Sequence, residues 1–121
     1  MVLADTSIWI DHLRNGNEEL SRLLDEGLVL CHTFIIGELA CGNLTNRTEI
    51  TSLLAALPQA SVASHDEVLA FIDARGLAGQ GLGYVDMHLL SSAVMTGVPL
   101  WTQDRRLNQV AARLRSAYEA R

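Results

Sequence analysis

Four carboxylates are set apart from the rest of the chain by what surrounds them. Glu38 is the only formally charged residue between Glu26 and Arg47, and Asp86 the only one between Arg75 and Asp104. Asp5 directly follows the apolar run Met1-Val2-Leu3-Ala4, and Asp104 follows Val98-Pro99-Leu100-Trp101-Thr102-Gln103. A carboxylate drawn into apolar surroundings without a partner either costs free energy or takes up a proton, so acids delivered this way generally meet a cation. Carboxylate oxygens are hard donors, and Mg²⁺ commonly binds through one or two of them with water and phosphate completing its shell, Mn²⁺ being an alternative. Four acids in one pocket would repel and raise the pKa of at least one, a penalty that a divalent cation removes, so affinity for the metal would weaken as pH falls. A cation held there can activate water for in-line attack on phosphorus and neutralise charge on the phosphate and the leaving oxygen. No His-Cys spacing of the zinc type is present.

Each acid also has a plainer explanation. Asp is a preferred helix N-cap residue, which accounts for Asp104 as well as catalysis does. It accounts less well for Asp86, because Tyr84 and Val85 precede it inside the expected helix. Asp5 could orient the turn after its strand, and Glu38 could be a buried acid paired with arginine. One shared cation covers all four cases at once.

The elements that must position these acids follow from an alternation of short β-branched or Leu-rich runs with longer amphipathic stretches, the α/β pattern. Val2 to Asp5 is predicted as the first strand, with Thr6 and Ser7 as capping candidates for a helix through Leu13. Glu18 to Glu26 carries Leu20, Leu23 and Leu24 in one helical stripe, stopped by Gly27 before a strand over Leu28 to Cys31. Helices follow over Thr33 to Cys41 and Thr45 to Leu57, then a weak strand over Ala60 to Ala63. Ser64 and Glu67 form a capping-box pattern for a helix to about Arg75. Four glycines within 76–83 predict an irregular, mobile loop. A helix from Tyr84 to about Thr96, a strand over Val98 to Thr102 and a last helix over Asp104 to Tyr118 complete the chain.

On this reading Asp5 ends the first strand and Asp104 follows the last, and ligands of parallel α/β sheets bind beyond the carboxyl ends of the strands. Asp86 begins the stripe Leu89, Leu90, Ala93 and Val94, and Glu38 shares a face with Phe34, Cys41 and Gly42, so both are expected to point inward. The hydroxyls of Thr6, Ser7 and Thr102 are candidates to hold a carboxylate or a metal-bound water. His12 and His88 lack an evident orienting partner, and such lone histidines are more often structural. Trp9 and Trp101 are expected as core anchors. Arg105 and Arg106 lie in a helix first turn, where cations are mildly unfavourable, which slightly favours a functional role such as contact with a phosphate.

Composition limits the rest. With 121 residues and 49% hydrophobic side chains the chain suits one domain, 1–121, with an ample core. No segment approaches the ~18 uninterrupted apolar residues of a membrane span. The opening Met-Val-Leu-Ala-Asp has no secretory pattern, so a cytoplasmic location is expected. Cys31 and Cys41 fit buried thiols better than a bridge. A net charge of -5 argues against a broad basic face for duplex binding. All nine cations are arginines, however, and five of them, Arg105, Arg106, Arg113, Arg115 and Arg121, follow Asp104. That concentration fits a phosphate-contacting strip and a solvated helix face about equally.

The segment Leu3-Ala4-Asp5-Thr6-Ser7-Ile8-Trp9-Ile10 resembles the opening of a PIN domain. Ile36-Gly37-Glu38-Leu39-Ala40-Cys41-Gly42, Tyr84-Val85-Asp86-Met87-His88-Leu89-Leu90 and Trp101-Thr102-Gln103-Asp104-Arg105-Arg106-Leu107 resemble that family's later acidic segments, in the same order along nearly the whole chain. In its short length the chain is similar to the VapC toxins of type II toxin-antitoxin pairs. The resemblance implies a three-layer α/β/α fold around a short parallel sheet. It also implies an Mg²⁺-dependent endoribonuclease that leaves a 5'-phosphate and a 3'-hydroxyl. Asp5 and Asp86 would be the firmest metal ligands, with Glu38 and Asp104 completing the pocket. A VapB-type antitoxin that silences the site and a homodimer are implied as well. A PIN nuclease of RNA processing outside a toxin pair is the neighbouring alternative. Phosphoryl transfer through an aspartyl intermediate suits Asp5 less, since no second Asp stands two positions on and the chain has no Lys. A non-catalytic module whose acids receive an Arg-bearing partner remains compatible with the residues.

Overall fold

The computed structural model describes residues 1–119. Strand β1 (Val2–Ala4) is followed by helices α1 (Thr6–Asn15) and α2 (Glu18–Asp25), then β2 (Val29–Leu30). Helices α3 (Thr33–Cys41), α4 (Arg47–Ala56), α5 (His65–Arg75) and α6 (Tyr84–Thr96) lead to β3 (Leu100–Trp101) and α7 (Arg105–Arg113). The three strands pair in parallel in the order β2-β1-β3, flanked by the seven helices, which is the expected three-layer α/β/α arrangement. The central strand is buried throughout, as a parallel sheet covered on both faces requires. Its Leu3 joins Ile8, Leu20, Ile35, Leu89, Leu90, Leu100 and Leu107 in one hydrophobic core.

Local chemistry sets the helix boundaries. Asn17 caps α2 through a bond from Leu20 N, and Ser64 and Glu67 form the predicted capping box on α5. Gly76 ends α5 in the left-handed region, at φ 64°. The glycine-rich segment 76–83 is irregular, as expected, and is anchored by buried Leu77 and by a bond from Arg113 to Gln80.

Four expectations need correction. The cap of α1 is Asp5 itself rather than Thr6 or Ser7, and the helix runs to Asn15. No strand forms over 60–63, because Ala60 and Ala63 turn inward while the intervening pair is exposed; only Gln59 bridges Cys31 beside β2. The last helix stops at Arg113 instead of continuing to Tyr118. Arg115 adopts φ 59°, and the chain then returns in extended form along β3, with Leu100 N donating to Ser116 O and Tyr118 N to Leu100 O. Finally, Glu38 is exposed rather than interior, since α3 turns Ile35 and Leu39 into the core.

The topology decides where side chains gather. Asp5, His32 and Asp104 each stand just beyond the carboxyl end of a strand, and each caps the helix that follows. Helix α6 feeds β3 through the short connection 97–99 and runs back along the sheet, which brings its first turn and Asp86 to that same edge.

Candidate active site

Asp5 is the most enclosed of the four acids, at 5% exposure. Its Oδ1 accepts from Ser7 N at 3.0 Å, Ser7 Oγ at 2.5 Å and Ile8 N at 3.3 Å, and its Oδ2 accepts from Thr102 Oγ1 at 2.5 Å. The two hydroxyls are used twice. Ser7 Oγ accepts from Gln103 N and Thr102 Oγ1 from Asp104 N, each at 2.9 Å. A single network thus ties the start of α1 to the turn between β3 and α7. Burial pushes the Asp5 carboxyl above its ordinary range, and the bonds from Ser7, Thr102 and Ile8 only partly oppose that.

Asp104 caps α7, its Oδ1 accepting from Leu107 N at 3.0 Å. The capping explanation is therefore correct for one oxygen; Oδ2 makes no hydrogen bond among the described residues. Asp86 is half-buried in the first turn of α6, where its Oδ2 accepts from Gly83 N at 3.2 Å. Burial raises its pKa, the Gly83 bond opposes this, and the charges of Asp104 and Glu38 raise it further. The proton affinity of Asp86 thus registers both neighbouring acids. Glu38, on α3, is held by one bond, from Thr6 Oγ1 to Oε1 at 2.6 Å.

No arginine neutralises this group: among the described residues the only ion pairs join Arg22 to Glu19 and Glu26, far along α2. The idea of Glu38 paired with arginine is therefore not met. The donor set is all hard oxygen, which suits a divalent cation in type and charge. Among the described residues, no three His, Cys, Asp or Glu side chains are gathered tightly enough to hold one ion as they stand.

Arg105 and Arg106 open α7 next to Asp104 and are exposed. The Arg106 guanidinium lies over Gly81, which adopts φ 80°. Arg121 lies outside the described residues. On the other side of the acids, a cleft of about 300 Å³ beside Glu38 is lined by Ile10, Leu13, Arg14, Leu39, Leu44 and Ile50.

Neither His12 nor His88 bonds to any of the four acids, and His88 Nδ1 is buried without a hydrogen-bond partner among the described residues. His12 Nδ1 accepts from Asn17 N at 3.1 Å, and its ring meets Trp9 edge-on. His88 is 2% exposed and stacks among Phe34, Tyr84 and His32 instead of facing the acids. Trp9 is a buried core anchor, and Trp101 packs on Tyr118 with ring centroids 5.2 Å apart.

His32 is a residue that sequence reasoning passes over. Its Nδ1 caps α3 by accepting from Phe34 N at 3.0 Å, so the ring proton belongs on Nε2, which lies 3.0 Å from Ser92 Oγ. Ser92 Oγ in turn donates to Ser61 O at 2.7 Å. Burial, then the nearby His88, pushes the His32 pKa down to about 4. Histidine is not among the usual N-cap residues, so no sequence rule marks it.

With this geometry in view, known proteins divide into sequence and structural relatives. The chain matches the PIN domain family over residues 2–113. It is 46% identical over 113 residues to Ribonuclease VapC32 of Mycobacterium tuberculosis, in both strain CDC 1551 / Oshkosh and strain H37Rv, covering 93% of this chain and 91% of the relative. The crystal structure of PAE2754 from Pyrobaculum aerophilum superposes with a TM-score of 0.69 over 97% of this chain and 87% of that one, at 17% identity, a likeness of fold.

Proposed function

Because the chain belongs to the PIN domain family, we propose that it is an Mg²⁺-dependent endoribonuclease acting as the cytoplasmic toxin of a type II toxin-antitoxin pair. The observation that carries this reading is that Asp86 feels the charges of Asp104 and Glu38 while Thr102 bonds both the Asp5 carboxylate and Asp104 N, with no arginine paired to these acids among the described residues. A relative at 46% identity that is itself named a ribonuclease supports it.

Asp5 and Asp86 are the metal ligands in this proposal, with Glu38 and Asp104 completing the pocket. Mg²⁺ or Mn²⁺, when bound, lowers the pKa of water and neutralises charge on the phosphate. The chain does the positioning. Ser7 and Thr102 hold the Asp5 carboxylate in one orientation and draw in the backbone that carries Asp104. Thr6 orients Glu38. Glu38 and Asp86, each with one hydrogen bond, are free to swing toward an ion, whereas Asp5 is already fixed. Water attacks phosphorus in line, the bond to the 3'-oxygen breaks, and that oxygen takes up a proton, leaving a 5'-phosphate and a 3'-hydroxyl. Arg105 and Arg106 contact flanking phosphates.

The partner is a VapB-type antitoxin, and the cleft beside Glu38, of mixed lining with Arg14, Asn43 and Thr45 among its aliphatic walls, offers it a seat from which to cover the acids. A homodimer is also part of the proposal. The test is purification free of partner, followed by incubation of structured RNA with Mg²⁺ or Mn²⁺. Wild type should cut, while Asp5→Asn and Asp86→Asn should lose at least about a hundredfold in rate, as the loss of several kcal/mol of charge stabilisation implies. Equal cleavage by all three proteins overturns the assignment.

A further inference from the structure

A second cleft, of about 550 Å³, lies between α7 and the glycine-rich segment, and Gln80, Arg106, Gln109, Val110, Ala112 and Arg113 line it. Arg106, Gln109, Val110 and Arg113 fall at i, i+3, i+4 and i+7, one face of the helix, with the two arginines about 10 Å apart along its axis. No acid borders the cleft, in a chain whose net charge is -5, and neither arginine is in an ion pair among the described residues. Arg113 Nη2 donates instead to the neutral Gln80 Oε1 at 3.2 Å, which uses one of five guanidinium donors. That bond leaves the Gln80 amide N–H donors unspent. The side chains of Arg106 and Gln109 make no hydrogen bond among the described residues. Of the side-chain polar atoms left over in the lining, only the Gln109 oxygen is not a donor.

Donors gathered without an acid among them suit an anion, and guanidinium forks match the oxygens of a phosphate. The cleft is also joined to the acids through the backbone. The Arg106 guanidinium lies over Gly81, two residues before Gly83, whose N–H bonds Asp86, and α7 is the helix that Asp104 caps. Arg113 stands at the other end of that helix, about 13 Å along the axis from Asp104. A phosphate at Arg113 is therefore a different one from any phosphate held by a cation at the acids. We propose that this cleft, through Arg113 and Gln80, is an exosite for a backbone phosphate of the RNA away from the cut. This rests on the ribonuclease reading and adds to it a contact that sets the register and direction of the strand without reading its bases.

Fluorescence anisotropy of a labelled oligoribonucleotide measures binding to the cleavage-silent Asp5→Asn protein, alone and combined with Arg113→Ala or Gln80→Glu. The second change separates an exosite from a staple that only holds the loop: a carboxylate at position 80 strengthens the bond to Arg113, yet it repels phosphate. Both variants should bind RNA about fivefold more weakly, the scale of one exposed charge contact, and the slope of log affinity against log salt should flatten by about 0.7. Neutral methylphosphonate linkages, placed one at a time along the RNA, should reveal one position outside the cut that weakens binding to Asp5→Asn about fivefold and causes no further loss with Arg113→Ala. Unchanged affinity in both variants overturns the exosite. So does a loss in Arg113→Ala that Gln80→Glu does not share, which marks a staple, or a methylphosphonate loss of equal size in both proteins. A site for free phosphate alone, seen as protection by inorganic phosphate against thermal unfolding of Asp5→Asn but not of Arg113→Ala with RNA affinity unchanged, overturns it too, as does a loss confined to binding of a protein partner. Failure of the underlying reading looks different: wild type then cuts no RNA in Mg²⁺, whereas failure of the exosite alone leaves cleavage intact with the KM of Arg113→Ala unchanged.

Discussion

The three strands end alike and are capped differently. Beyond β1 and β3 the capping residues are Asp5 and Asp104; beyond β2 it is His32. All three accept hydrogen bonds from a helix start, which is what the positive end of a helix asks of a cap. The aspartates can carry charge there and present it to a ligand. The histidine can cap only while neutral, because its accepting nitrogen, Nδ1, is also where a second proton would go. One backbone geometry thus serves two ends that tend toward a cation and one end that must exclude charge. Opposite responses to pH follow.

The largest effect should come from His32. A buried imidazole whose pKa is pushed from 6.5 down to about 4 binds fewer protons folded than unfolded. Its contribution is complete above pH 6.5 and is lost as pH falls toward 4, a difference of about 3 kcal/mol across that window. Asp5 and Asp86 have the reverse sign: their folded pKa values are raised, so metal-free protein gains stability as pH falls through them toward 3.8. Urea unfolding in chelator from pH 7 to 4 separates the two. His32→Asn keeps a good capping side chain without the titration, and although it loses the Ser92 contact, its acid decline should be shallower than that of wild type. Parallel declines would erase the contrast between the strand ends.

The acid ends are legible in the sequence and the histidine end is not, for identifiable reasons. Asp5 and Asp104 follow apolar runs that can only be strands, so their common edge follows from parallel topology. Asp86 falls at the start of its helix as expected, because Leu89, Leu90 and Ala93 fix the phase. Glu38 defeats the same reasoning because α3 is apolar around most of its circumference: Phe34, Ile35, Ile36, Leu39 and Ala40 allow several phases, and contact with the sheet selects the one that exposes the acid. The end of α7 is hard to place because Leu114, Ala117 and Tyr118 satisfy a helical stripe and an extended edge equally well. His32, Phe34, His65, Tyr84 and His88 also come into ring contact, and of these pairs only Tyr84 and His88, one helical turn apart, have a spacing that marks it.

A second break in the comparison lies in the hydroxyl that joins the acid ends. Thr102 Oγ1 donates to Asp5 and accepts from Asp104 N, so Thr102→Val removes both bonds with almost no change in volume. A buried carboxylate loses a donor and a backbone N–H loses its acceptor, and stability should drop by about 1–3 kcal/mol. Cleavage should fall as well, with more Mg²⁺ needed for half-maximal rate, since Asp5 and Asp104 lose their common tether. The hydroxyl at the histidine end, Ser92, joins His32 to Ser61 O and bonds to none of the acids, so Ser92→Ala should cost stability without changing the Mg²⁺ requirement. A Thr102→Val protein with a normal Mg²⁺ requirement would show that the network is only a fold device.

The smallest effect tests whether the acids strain the fold they serve. Asp86 is half-buried, and Asp104 and Glu38 add repulsion to its desolvation, so its charge opposes folding when no cation is present. Asp86→Asn removes that charge, and its amide oxygen can still accept from Gly83 N. In chelator at pH 7 the variant should melt roughly 1–3 °C higher than wild type, the shift expected from a few tenths of a kcal/mol in a chain of this size. With excess Mg²⁺ the order should reverse, because only the wild-type site gains from the ion. A site that destabilises the empty protein and stabilises the loaded one is what charge gathered for a ligand produces. If Asp86→Asn melts lower under both conditions, the acid is a structural cap like Ser64, and the strand-end acids alone would have to hold the metal.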